Sequence, residues 1–142
     1  MSSVLARFRK ISEMEFYRAS YELRSKLTLA LMNENIVPKR YRPIFTFPTL
    51  EIARHLIDHI IVAFNVYPNK PQFVEDRRAM QKAAIDDLDM IDDQLQYLIE
   101  TLFKGRVDAD HPLPGAIEEC GELIDRARPL LVAWRKSTKL IP

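Results

Sequence analysis

The chain has 142 residues, 47% of them hydrophobic and 29% charged, with a formal net charge of +1. That balance describes one folded domain with a respectable core and excludes a disordered chain. The single cysteine, Cys120, excludes an intramolecular disulfide and any multi-cysteine metal site, and no apolar run approaches the ~20 residues that cross a bilayer.

Residues 1–11 carry Arg7, Arg9 and Lys10 but lack the long apolar stretch and cleavage site of a secretory leader. They are read as a flexible basic arm on a cytoplasmic protein. Prolines then punctuate the sequence at 38, 43 and 48, at 68 and 71, and at 112 and 114. Proline cannot continue a helix interior and pushes the preceding residue out of helical geometry, so these positions mark three connections between four segments.

The first segment, about Ser12 to Asn35, repeats Phe16, Leu23, Leu27, Ala30 and Leu31 at helical intervals, with Ser12 and Glu15 spaced as a capping box. The connection after it, Ile36 to Pro48, mixes the cations Lys39, Arg40 and Arg42 with Tyr41, Phe45 and Phe47. The second segment, Thr49 to Tyr67, has Thr49 as its expected N-cap. Its polar residues Glu51, Arg54, His55, Asp58 and Asn65 fall on one stripe, leaving apolar residues over about half the circumference or more. That is wider than the ~100° face that one core requires. The excess predicts either a helix that sits centrally or contact with a second copy, through Ile52, Leu56, Ile60 and Ala63.

The third segment, Pro71 to Lys104, keeps Phe73, Met80, Ala84, Leu88, Ile91, Leu95, Leu98 and Leu102 in three/four spacing. The fourth, Pro114 to about Lys139, has Pro114 suited to the first helical position. Its apolar stripe is Ile117, Cys120, Ile124, Ala127, Leu131 and Trp134, with Pro129 expected to kink the helix without ending it. The expected fold is therefore all-α, an antiparallel up-down four-helix bundle over residues 12–139.

Candidate chemistry is sparse. His55 and His59 share a helix face at i, i+4, but Leu56 stands where a zinc hydrolase needs Glu, and no third ligand is marked; they are read as polar-stripe histidines. Arg54 and His59 fit the Arg-x4-His pattern of the HEPN ribonucleases, which gives an alternative enzymatic reading. Five carboxylates from Asp86 to Asp93 lack the Glu-x-x-His motif of di-metal bundles and are read as a solvated face or a dock for a basic partner. Cys120 has acidic neighbours and reads as an apolar filler. No metal or cofactor is expected. The basic residues form four groups: Arg7/Arg9/Lys10, Lys39/Arg40/Arg42, Arg77/Arg78/Lys82, and Arg126/Arg128/Arg135/Lys136/Lys139. The first, third and fourth groups can meet at one bundle end. Cations there, with Tyr41, Phe45 or Trp134 nearby, would suit a phosphate backbone and stacked bases, or else serve as solubilising charges balanced by nearby acids.

Three stretches carry a family resemblance: Val37-Pro-Lys-Arg-Tyr-Arg42; Ala53 with Ile60-Ile-Val-Ala63; and Gly121-Glu-Leu-Ile124 followed by Leu130-Leu-Val-Ala-Trp134-Arg-Lys136. In this order the chain resembles the four-helix-bundle proteins that include the accessory variability determinant of diversity-generating retroelements and the ribosomal-RNA intervening-sequence proteins. The resemblance implies a non-enzymatic homo-oligomer, pentameric in the accessory protein, that binds nucleic acid (RNA or DNA) and a reverse transcriptase. Lys39, Arg40 and Arg42 would carry that binding, with Arg77, Arg78, Arg126, Arg128, Arg135 and Lys136 as secondary candidates. The near-neutral net charge departs from that strongly basic pattern and leaves a protein-only scaffold as a further alternative.

Overall fold

A computed structural model describes residues 10–104, 108, 110 and 112–142. Arg7, Arg9 and Gly105, and with them most of the proposed arm, lie outside the described residues. Four long helices dominate: α1 (Glu15–Leu31), α2 (Thr46–Asn65), α3 (Pro71–Leu102) and α4 (Gly115–Ser137). Among the described residues there is no strand. The main packing pairs are α1 with α2, α2 with α3, α3 with α4, and α1 with α4. Between them lies one core that includes Leu23, Leu27, Leu56, Ile60, Leu88, Ile91, Leu98, Ile124 and Leu131, each under 2% exposed.

The start of α1 differs from the capping-box expectation. Met14, in extended geometry, precedes the helix and no side chain caps it. The buried Ile11 accepts a 3.0 Å hydrogen bond from the Met14 amide, so a turn anchored in the core replaces Ser12 as the point of entry.

At the other end of α1, two carbonyls left over by the helix find partners in the following connection. Arg42 Nη2 donates to Met32 O at 2.8 Å, and Thr46 Oγ1 donates to Leu31 O at 2.7 Å. Ile36, Val37 and Phe45 are buried, and the Phe45 ring lies 5.3 Å from that of Tyr97 on α3. The stretch is a plug over that end of the core, with a 3-10 turn at Lys39–Tyr41.

This plug moves the start of α2 one turn earlier than predicted. Thr49 is inside the helix, where its hydroxyl donates back to Phe45 O at 2.6 Å, and it does not cap. Pro48 is tolerated because the first turn has no intrahelical acceptor for its missing N–H. Leu56, Ile60 and Ala63 are fully buried within this chain and Ile52 is partly so. Of these four, Ile52 alone keeps surface at which a second copy could be met. The exposed apolar side chains of α2 are Phe47, Ile61 and Val62, and those of α3 are Met90 and Tyr97.

Pro71 opens α3 in the first turn, as its fixed φ favours. Pro114 caps α4 from just outside the helix, and α4 continues through Pro129. Cys120 is fully buried, and its thiol is pushed up to about 11, by burial first and then by Glu119, which suits a filler and not a nucleophile. No helix among the described residues is long and apolar enough to cross a membrane.

Replacing Thr46 with Val keeps the shape but leaves the Leu31 carbonyl without its buried donor. Urea unfolding is expected to show a loss of about 1–2 kcal/mol.

Candidate functional site

The predicted basic residues separate into three environments. Lys39 is ion-paired with Glu34 at 3.0 Å, Arg40 lies over the Tyr41 ring at 4.9 Å, and Arg42 is committed to the end of α1. Along the bundle side, Arg126 pairs with Glu22 at 3.4 Å and Arg128 with Asp89 at 2.5 Å. Exposed pairs of this kind contribute only ~0–1 kcal/mol to stability, but they cancel the local field that would attract a polyanion.

Arg77, Arg78 and Arg135 come together where the start of α3 meets the end of α4, Lys136 follows Arg135 on the last turn, and none of the four is paired with a carboxylate among the described residues. Arg78 Nη2 donates to Thr138 O at 2.8 Å, Arg135 Nε to Arg78 O at 3.2 Å, and Arg77 Nη1 to Val66 O at 3.4 Å. Carbonyls orient these guanidinium groups without neutralising them. Burial lowers the pKa of the Arg77 guanidinium from its ordinary value. Glu75 and Asp76 occupy the same stretch of α3 and moderate the field, although they bridge none of the four.

Trp134 organises this end. Its ring stacks on Phe16 of α1 at 3.9 Å and 11°, and the Arg77 guanidinium lies over it at 5.5 Å. The indole is thus occupied by its own chain and offers no open platform for a base. Phe45 is unavailable too, at 1% exposure. The Lys39–Arg42 group adjoins the opposite end of α1 from Phe16, and 17 residues of helix separate the two ends by about 25 Å. The expected single surface is therefore two, and only one is rich in unpaired charge.

A second constellation joins α2 to α3. His59 Nδ1 lies 2.6 Å from Asp87 Oδ2, and Asp87 is only 3% exposed. The His55 ring is 6.1 Å from that of His59, and His55 Nε2 is 3.3 Å from Glu51. Arg54 is clasped by Glu51 at 2.6 Å and Asp58 at 3.5 Å. Asp87 was expected on a solvated face and is instead buried against His59. Its register gave the signal: it sits three residues after Ala84 and four before Ile91, on the core side. Gln81, three residues before Ala84, is buried for the same reason. Asp86 and Asp89 do face solvent, paired with Lys82 and Arg128. Among the described residues no three His, Cys, Asp or Glu side chains are grouped to hold a metal ion.

No family model matches the chain, and neither a curated protein nor a solved structure matches it.

Burial raises the pKa of Asp87, opposed by the His59 hydrogen bond and by the charges of His59 and His55, and reinforced by Asp86. A carboxyl whose pKa rises on folding favours the native state at low pH, and that contribution fades as pH rises through the raised value. Asp87→Asn keeps an acceptor for His59 but no longer ionises. The melting temperature of the variant, relative to that of the parent, is expected to climb between pH 4 and pH 7; an unchanged difference would show that Asp87 ionises at no net cost.

Proposed function

We propose that this chain is a non-enzymatic, nucleic-acid-binding helical bundle whose basic end, formed by Arg77, Arg78, Arg135 and Lys136, contacts the phosphate backbone. The observation that carries the reading is the convergence of these cations with no carboxylate paired to any of them among the described residues. Most of the other predicted cations are paired with an acid or spent on a cap. The helices are taken to run alternately up and down. The contacts of Phe16 with Trp134, of Arg78 with Thr138 and of Thr46 with Leu31 support that order. The resemblance to retroelement accessory proteins makes a reverse transcriptase the candidate protein partner. A homo-oligomer would use the exposed apolar residues beside a groove of about 460 Å³ lined by Ile52, Met90, Asp93, Tyr97 and Glu100.

Binding of labelled single-stranded RNA and DNA, followed by fluorescence anisotropy at several salt concentrations, tests the reading. Neutralised phosphates release counterions, so affinity is expected to fall as salt rises. Arg135→Gln with Lys136→Gln should reduce the logarithmic salt slope by about 1–2. Lys39→Gln with Arg40→Gln, at the far end, should leave the slope close to that of the parent. Absence of binding at low salt would sink the proposal.

One observation favours a second reading, a HEPN-type ribonuclease: the His59–Asp87 pair holds an imidazole with 29% of its side chain exposed. Against it, Arg54 is held between two carboxylates, and Glu51, Asp58, Asp86 and Asp87 make the surroundings acidic, which disfavours a phosphodiester. Running the bound RNA on a gel separates the two readings. Intact RNA is expected; cleavage that disappears in His59→Ala would replace the binding module with an enzyme.

A further inference from the structure

We propose that Arg77 and Gln81, one turn apart on α3, form a fixed site for a single phosphate group. The inference rests on the reading of the basic end, in that it takes the phosphate to be one of a nucleic-acid backbone. It adds that one phosphate is held by buried donors, whereas the others lie on open surface.

Two unmet donors carry the argument. Arg77 Nε is buried without a hydrogen-bond partner, and among the described residues this guanidinium donates to one acceptor, the Val66 carbonyl at 3.4 Å. Gln81 is fully buried; its Oε1 accepts from Thr138 Oγ1 at 2.9 Å, while its Nε2 has no partner. Residues four apart lie on the same helix face, so both donors belong to one patch. A partly buried guanidinium without a counter-charge is unfavourable, and so is a buried amide N–H without an acceptor. One ligand relieves both: an anion with several acceptor oxygens.

The surroundings select phosphate. Thr138 fixes Gln81 and, through its carbonyl, Arg78, whose own carbonyl fixes Arg135. Three arginines are therefore oriented about one region, and among the described residues none of them is paired with a carboxylate, Glu75 and Asp76 on the same turn included. Arginine forks match the oxygens of phosphate, and three cations suit a multiply charged oxyanion better than a single carboxylate. Arg42 Nε and Gln94 Oε1 are also buried without partners, but among the described residues neither has a second unmet group within four positions of it.

Thermal unfolding in low-millimolar inorganic phosphate, against sodium chloride at equal ionic strength, reads the site directly. The parent chain is expected to gain about 4 °C. Arg77→Met should lose the gain. Gln81→Glu supplies an internal carboxylate, so it should melt higher than the parent without phosphate and gain nothing when phosphate is added. No gain in the parent, or a full gain in Gln81→Glu, overturns the proposal. Competition between phosphate and a labelled oligonucleotide separates this inference from the reading it rests on. Phosphate that stabilises a chain with no oligonucleotide affinity leaves a site for free phosphate and removes the nucleic-acid reading. An oligonucleotide that binds while phosphate neither stabilises nor competes removes the site and leaves the nucleic-acid reading standing.

Discussion

Burial of the apolar stripe of α3 is the constraint to which the other elements answer. With 32 residues this helix is about 48 Å long, against about 25, 30 and 35 Å for α1, α2 and α4. The shorter helices cannot cover it from end to end, so irregular segments finish the task. Toward the end of α3, the connection around Phe45 folds over the core and meets Tyr97. Near its start, the residues after α4 return across the α2–α3 connection, where the Ile141 amide donates to Pro68 O at 2.9 Å. Both irregular segments meet their polar backbone groups with named donors and acceptors, as buried backbone requires.

Charge follows the same geometry. Along the bundle sides, acids and bases on neighbouring helices are close enough to pair, as in Lys26 with Glu119 and Arg128 with Asp89. Where the start of α3 meets the ends of α2 and α4 the partners of the arginines are carbonyls, those of Val66, Arg78 and Thr138. A net charge of +1 therefore conceals a local excess. Cations near the end of a helix also interact favourably with its dipole, which explains why Arg135 and Lys136 are tolerated side by side.

Helix existence and the core stripes were legible because α4, and α3 from Met80 onward, repeat apolar residues at an unbroken three/four spacing. The boundaries of α1 and α2 were less so. Ser12 and Thr49 have the right chemistry for caps, but burial of Ile11 and Phe45 set the entry points instead. The width of the apolar face of α2 was real, yet Leu56, Ile60 and Ala63 turn inward, and the surplus lies at Ile61 and Val62. Composition alone made Asp87 look solvated, although its register placed it with Leu88 and Ile91. The sorting of cations into paired and unpaired was not readable at all, since it depends on residues tens of positions apart: Arg128 with Asp89, or Arg135 with Arg78.

Pro129 has a mechanical consequence for α4. It cannot donate to the carbonyl of Asp125, so one rung of the backbone ladder is missing between the two halves of the helix. On one side of that gap Arg126 and Arg128 tie the helix to α1 and α3; on the other Trp134 and Arg135 sit at the basic end. Bending stiffness is lowest at the missing rung. Beyond that gap the terminal turns rely on side chains for their position, Leu131 in the core and Trp134 stacked on Phe16.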